Sequence, residues 1–507
     1  MTVSALVPCG GPEPDVLVTP AGARFTAVAP NLATMARETL RRCPTAEAIV
    51  DLGTGRRLDH AQLWDGATRV AGGLRAAGVG PGDRVAIRLP NGADWCLAFL
   101  GSVLAGAVPV PVNTRLTAAE VDHVVTDSGA AVVIDGSGPL PDGPAVDTGA
   151  EDAEPESLAT MFYTSGTTGR SKGAMLSHRA LLSAAEQCRR ALDLGRDEAT
   201  RTLVAAPLFH ILAAGMQWLP ALAAGGCAVI MPAFEVDGWV RAIGEERIDL
   251  LNGVPAMYWQ ALRSPGFADL DTSGVRRLVY GAAPTPPAQV AELMRAFPTA
   301  QLRPGYGLTE APCVTGLEHS EALAHADSVG RAVAATELAL LGPEAAEGIG
   351  QLLVRGPQLM SGYWQRPEAT AETLVDGWLH TGDLVRIDET GRVHMLDRRT
   401  DLINRGGENV YSVEVEAALS AHPAVGEIAV VGVPDEMMGQ KVGAVVVPRP
   451  GHSLTGPGLA GFARDVLADF KVPQYVVISP EPLPRNPGGK VDKAALRRIA
   501  DWGPALR

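Results

Sequence analysis

The chain has 507 residues, about three times the length of an average domain, so two or more folding units are expected. Apolar residues at 46% and charged residues at 20% exclude a disordered chain. The net charge of −14 excludes a general nucleic-acid binder, which needs a positive surface against phosphate, but it leaves room for a small anion held locally. Of the 43 basic residues only five are lysine (Lys172, Lys441, Lys471, Lys490 and Lys493), so a mobile point charge is rare where the planar arginine fork is common.

In chain order, Leu58 to Leu74 carries apolar residues at helical spacing and predicts a helix ending near Gly78. Gly78-x-Gly80-x-Gly82 follows a helix and precedes a strand, the reverse of a dinucleotide-binding turn, so it reads as punctuation. Arg84 to Leu89 alternates like a strand, Asp94 to Ala105 predicts an apolar helix ended by Gly106, and Val108 to Val112 predicts a strand end or edge because of its two prolines. Met216 to Ala224, Gly225-Gly226 and Cys227 to Met231 repeat the helix–glycine–strand order. Two such units predict two related α/β lobes with parallel sheets covered by helices. Gly136 to Glu156, rich in Gly, Pro and acids, predicts a surface connection.

No Asp, Glu, Lys or Arg occurs from Leu203 to Phe234. Prolines and glycines interrupt that stretch, so a buried helix between strands is expected and not a membrane span. The cysteines Cys9, Cys43, Cys96, Cys188, Cys227 and Cys313 form no CxxC pair and read as free thiols in a reducing compartment. Met1 to Pro20 lacks the pattern of a secretory signal, so a cytoplasmic location is expected. A boundary is expected near Arg398 to Asp401. Residues 401–507 carry a net −1, so the acidity belongs to the first 400 residues.

The strongest local signal is the run Tyr163-Thr164-Ser165-Gly166-Thr167-Thr168-Gly169-Arg170-Ser171-Lys172-Gly173 after an apolar strand. Glycines let backbone N–H groups curl around phosphate oxygens, hydroxyls add donors, and Lys172 adds charge. The residues flanking Lys172 do not fit a Walker P-loop. Four further constellations follow in order: Gly281-Ala282-Ala283-Pro284 with Tyr306-Gly307-Leu308-Thr309-Glu310; Gly377-Trp378-Leu379-His380-Thr381-Gly382-Asp383; Asp397-Arg398-Arg399-Thr400-Asp401 with Gly406-Gly407-Glu408-Asn409; and Pro484-Arg485-Asn486-Pro487-Gly488-Gly489-Lys490.

Together these motifs resemble the adenylate-forming superfamily of acyl-CoA synthetases, peptide-synthetase adenylation domains and luciferases, from about Asn31 to Lys493. The resemblance implies an α/β fold with an N-terminal domain (1–399) of two related sheet–helix lobes plus a small β-barrel-like region. A small mobile α+β C-terminal domain (400–507) would carry Lys490. It implies an ATP-dependent acid–thiol ligase with ATP, Mg²⁺ and CoA: the acid attacks the α-phosphate to give acyl-AMP and pyrophosphate, and a thiol then displaces AMP.

By the same resemblance, Thr164, Ser165, Gly166, Thr167, Thr168, Gly169 and Lys172 would hold the outer phosphates. Glu310 would help to hold Mg²⁺, and Thr309 would contact the α-phosphate. Tyr306, beside Gly307, would stack on adenine opposite Gly281, Ala282 and Ala283. Asp383 would accept from both ribose hydroxyls, and Arg398 would reach the ribose or the phosphate. Lys490 would bridge the substrate carboxylate and the α-phosphate. Gly406 and Gly407 would swing in for the thiol step after rotation about a hinge.

Two positions depart from the family pattern. The hinge residue, usually Asp or Lys, is Thr400, and Gln351 follows Gly350 where an acid is common. Thr400 puts the balance of the two half-reactions in doubt. Amino-acid-activating relatives carry an Asp after a Phe to pair with the α-ammonium, whereas this chain reads Phe209-His210 with no acid until Glu235. An unpaired buried ammonium is costly, so an apolar, fairly large acid is expected. Ala213, Ala214, Gly215, Ala282 and Ala283 would leave room for it, and His210 would gate the carboxylate entrance. The alternatives are transfer to a carrier-protein phosphopantetheine, a chain performing mainly one half-reaction, and, in a different class, an inactive nucleotide-binding regulator.

Overall fold

The computed structural model describes residues 3–7, 15–19, 22–146, 152–164, 171–195, 199–282, 285–398, 401–405, 408–435, 437–486, 489–503 and 505–506. The first lobe is built on a seven-stranded sheet. Its strands run in the order Gln301–Leu302, Arg277–Tyr280, Leu250–Gly253, Arg201–Val204, Cys227–Ile230, Glu47–Asp51 and Arg57–Asp59. All neighbours pair parallel except the last. Parallel strands need crossover helices, and the inner strands Cys227–Ile230 and Leu250–Gly253 are buried throughout because both faces are covered.

The second lobe carries the three parallel strands Val108–Pro111, Arg84–Ile87 and Ala130–Ile134. Val108–Pro111 is an edge of that sheet, where a proline without an N–H is tolerated. Thr160 Oγ1 donates to Pro109 O at 2.9 Å, which seats the antiparallel strands Leu158–Thr164, Lys172–Ser177 and Gly362–Tyr363 beside it. The two helix–glycine–strand units are both present: helix Ala93–Leu104 then Gly106 at φ +77°, and helix Leu219–Ala224 then Gly225 at φ +76°. Glycine takes these left-handed turns without a Cβ penalty.

The charge-free stretch is a buried helix between strands, as expected, but it begins earlier, at Ile211, and Ala214–Trp218 forms a π turn. The Met216 carbonyl in that turn is approached by the Cys188 thiol and the Asn252 amide, both at 3.5 Å. No described helix is long and apolar enough to cross a membrane.

The third region of the N-terminal domain is a six-stranded antiparallel sheet that includes Glu337–Leu341, Ile349–Arg355, Trp378–Ile387 and Val393–Arg398. The last five-stranded sheet contains Ile403–Arg405, Glu408–Val410, Val425–Asp435, Gly439–Pro448 and Tyr475–Ile478. Strand alternation gives it two apolar faces. Val430, Val442 and Val446 pack with Leu419 and Leu459 on one side, while Ala429 and Val445 pack with Leu483 and Leu496 on the other.

Candidate functional site

The register of the Leu158–Thr164 and Lys172–Ser177 strands pairs Thr164 with Lys172, so the two strands on either side of the glycine- and hydroxyl-rich run are antiparallel neighbours. Ser165, Gly166, Thr167, Thr168 and Gly169 lie outside the described residues. Both ends of the run are held by the helix Ala118–Ser128. Tyr163 donates its phenol to Asp127 Oδ2 at 2.8 Å, and His123 Nε2 donates to the Ser171 carbonyl at 3.1 Å. Arg366 pairs with Asp127 from a third segment, and the Trp364 indole donates to the Asp127 carbonyl at 3.0 Å. The Lys172 ammonium lies 5.3 Å from the centre of the Tyr363 ring, a cation–π contact.

Tyr363 continues this chain of contacts by donating to Glu310 Oε1 at 2.7 Å. Burial, reinforced by the Glu310 charge, pushes the Tyr363 phenol pKa up, so it stays a donor. Glu310 and Thr309 occupy the turn between Gly305–Leu308 and Ala311–Gly316, and the Glu310 carbonyl accepts from Met360 N at 2.9 Å. Two glycines make this turn possible. A Cβ on Gly307 would sit 2.1 Å from the Pro312 carbonyl oxygen, and one on Gly281 would sit 2.5 Å from that of Gly305. Gly281 bridges Gly305 directly, and Ala282 beside it has φ +64°, a left-handed conformation that costs a non-glycine residue about 1–2 kcal/mol. Ala283 lies outside the described residues.

Asp383 is 4% exposed on the strand Trp378–Ile387, opposite Arg398 in register. Its carboxylate accepts from the Tyr306 hydroxyl at 2.5 Å and pairs with Arg398 Nε at 3.3 Å. Burial, and then Asp383, raises the Tyr306 phenol pKa. A carboxylate offers about four acceptor positions, so two contacts leave Asp383 with capacity for further donors.

Lys490 reaches this neighbourhood from the far end of the chain. Its turn is closed by Asn486 N to Lys490 O at 2.8 Å and Lys490 N to Asn486 Oδ1 at 3.1 Å, with Gly489 at φ +83°. Lys490 retains solvent-accessible surface, yet the surrounding protein desolvates its ammonium and lowers its pKa. The Arg398 charge acts in the same direction, while Asp383 and Glu310 oppose it. His210, stacked edge-on with Phe209 at 4.7 Å, feels Lys490 and Arg115 as well. Burial first, then those two charges, lowers its pKa to about 4, so the imidazole is neutral at pH 7.

The sequence-selected residues Lys172, Tyr306, Glu310, Asp383, Arg398, His210 and Lys490 thus share one neighbourhood, although 318 positions separate Lys172 from Lys490 in the chain. Gly406 and Gly407 fall outside the described residues, as does Thr400. Ala213 and Ala214 are buried, at 0% and 1% exposure. Tyr363, Asp127, His123 and Arg115 escaped the sequence reading. The aromatic pair after Gly362 was a visible signal for Tyr363, but nothing local marks Asp127 or His123 as holders of a distant loop.

Comparison with known proteins agrees with this geometry. The AMP-binding enzyme family model matches residues 36–364, and the AMP-binding enzyme C-terminal domain matches residues 414–490. A feruloyl-CoA synthase from Amycolatopsis is 41% identical, over 90% of this chain and 96% of that protein. The long-chain-fatty-acid–CoA ligase FadD13 of Mycobacterium tuberculosis is 34% identical, over 92% and 98%. ATP-bound MatB from Rhodopseudomonas palustris superposes with a TM-score of 0.82 at 31% identity, over 92% of this chain and 98% of that one. The chain therefore belongs to the AMP-binding enzyme family as an adenylate-forming acid–CoA ligase, which joins a carboxylic acid to CoA at the expense of ATP through acyl-AMP.

Proposed function

We propose that this ligase activates a bulky apolar carboxylic acid, with Lys490 as the residue that assists adenylation. The observation that supports the assignment is the position of Lys490, in a turn closed by Asn486, within charge range of Glu310, Asp383 and Arg398. A carboxylate and a triphosphate repel each other, and charge builds on the α-phosphate as the acid oxygen attacks and pyrophosphate leaves. One compact ammonium on a flexible stem can touch both partners in that transition state. Lys172 and the Thr164–Gly169 run would hold the outer phosphates, and Thr309 would hold the α-phosphate. Tyr306 and Gly281–Ala283 would flank adenine. Asp383 and Arg398 would hold the ribose. His210, neutral and beside Phe209, would let a carboxylate approach without trapping it in an ion pair.

Mg²⁺ fits this donor set. No group of three or more His, Cys, Asp or Glu forms a metal cluster among the described residues, and Mg²⁺ is commonly bound by one or two carboxylates plus substrate phosphates. Glu310 would hold it through its second oxygen, the first being occupied by Tyr363. The bound ion would neutralise phosphate charge.

Two features support the apolar acid. The segment from Phe209 to Phe234 carries no charge that could pair with an α-ammonium. Leu212 and Met216 pack with Val279 and Cys313 into an apolar cluster that ends the strand leading to Gly281. Two relatives are named for feruloyl and long-chain fatty acyl products, both with large apolar bodies. We place the unit boundary at 399/400, with Gly406 and Gly407 serving the thiol step after the C-terminal unit turns. An acid panel of ferulate, palmitate and phenylalanine, assayed for AMP release with and without CoA and with a holo carrier protein, tests the reading. Release with ferulate or palmitate that depends on CoA is expected. Phenylalanine as the sole substrate would overturn the acid class, and a requirement for the carrier protein would overturn the acceptor.

A further inference from the structure

We infer that Ser412 and Lys493 are positioning residues for Lys490: with Asp397 and Glu416 they clasp the C-terminal unit to the strand Val393–Arg398 and so set Lys490 beside Glu310 and Asp383. The inference rests on the role proposed above for Lys490.

The clasp is a closed chain of contacts. Asp397, 3% exposed, accepts from Ser412 N at 2.5 Å through one oxygen and from Ser412 Oγ at 3.0 Å through the other. Lys493 Nζ lies 2.6 Å from Ser412 Oγ and 2.8 Å from Glu416 Oε1. Glu416 Oε1 also accepts from Val430 N at 2.7 Å. A lysine only donates, and a serine hydroxyl has one proton, so the direction is fixed: Lys493 donates to Ser412, and Ser412 donates to Asp397. Burial pushes the pKa values of Asp397 and Glu416 up, while the Lys493 charge pulls both down.

The placement matters more than the strength. Asp397 is anchored in the N-terminal sheet opposite Leu384, one residue from Asp383. Ser412, Glu416 and Lys493 belong to helices of the C-terminal unit. Lys493 opens the helix Lys493–Ile499, and Arg497 of the same helix pairs with Asp401 at 2.7 Å. That helix therefore holds Asp401 directly and reaches Asp397, across the 399/400 connection, through Ser412. Lys490 lies three residues before Lys493, in a turn stiffened by the Arg485–Val491 bridge and by Asp492 N to Pro484 O at 2.8 Å. A shift of the helix start carries Lys490 with it.

The test uses the full chain with Ser412→Ala, Ser412→Thr and Lys490→Ala. ATP–pyrophosphate exchange is measured with ferulate and palmitate, CoA-dependent consumption of the synthetic adenylates is measured separately, and thermal melting is followed in parallel. Ser412→Ala is expected to lose about ten-fold in exchange, the worth of a hydrogen bond to a charged group. Its adenylate consumption should stay at the parent value although its melting temperature falls by a few degrees as Asp397 and Lys493 lose a buried partner, and Ser412→Thr should recover exchange. Equal losses in both half-reactions, or no loss in exchange, would overturn the inference. If Lys490→Ala retains exchange, the role of Lys490 falls and the inference with it. If Lys490→Ala abolishes exchange and Ser412→Ala does not, only the positioning inference falls.

Discussion

At the residue scale, the sharpest demand falls on Lys490. Arginine keeps the charge but spreads it over a plane, so it cannot touch the acid oxygen and the α-phosphate from the same point. Lys490→Arg is expected to lower pyrophosphate exchange on the order of a hundredfold, the cost of one misplaced transition-state donor, while thiolation of preformed acyl-AMP survives. Tyr363 tests the opposite end of the site. Its hydroxyl orients Glu310, and its ring carries the Lys172 charge. Tyr363→Phe keeps the ring and removes only the hydroxyl, so the Mg²⁺ concentration for half-maximal activity should rise roughly ten-fold. A Mg²⁺ titration of AMP release measures it, and an unchanged midpoint would show that Glu310 needs no such orientation.

At the scale of elements, what was legible in the sequence followed from short-range rules. The helix–glycine–strand units could be read because apolar spacing and a left-handed glycine act within a few residues, as at Gly106 and Gly225. The antiparallel strand pair around the phosphate-type run was marked by the apolar strand on its near side. The π turn at Ala214–Trp218 could not be read, because its apolar pattern is compatible with an ordinary helix and the partners of Met216 O come from Cys188 and Asn252. The clamp of Asp127 and His123 on the ends of that run is equally long-range, spanning 36 and 48 positions. The turn carrying Thr309 and Glu310 rests on steric necessity at Gly307, and Gly307→Ala should lower stability by about 1–3 kcal/mol through overpacking against Pro312. Thermal melting would register it, and an unchanged melting temperature would show that the turn relaxes freely.

For the whole molecule, buried histidines set a pH dependence. Burial lowers the pKa values of His178 and His210 to about 4, from an ordinary 6.5. Between those values the unfolded chain binds protons that the folded chain refuses, so stability is complete above about pH 6.5 and falls as pH drops toward 4. His178 accepts from Leu32 N through Nδ1 at 3.3 Å, tying two distant helices together. His178→Asn keeps an acceptor near that place and removes the titration, so the loss of melting temperature between pH 6.5 and 4 should become shallower. An unaltered slope would assign the acid sensitivity elsewhere.

The scarcity of lysine has a practical side once each amine is located. Lys441, Lys471 and Lys493 are held by Asp435, Glu414 and Glu416 at 2.7, 2.6 and 2.8 Å, and Lys172 faces the Tyr363 ring. Among the described residues no carboxylate forms an ion pair with Lys490, and its side chain is exposed, so its amine is open to reagent. An amine-selective label at limiting stoichiometry should therefore mark Lys490 ahead of the other four lysines. If Lys490 has the role proposed above, ATP should protect it from that label, which would turn a mass measurement into a binding assay.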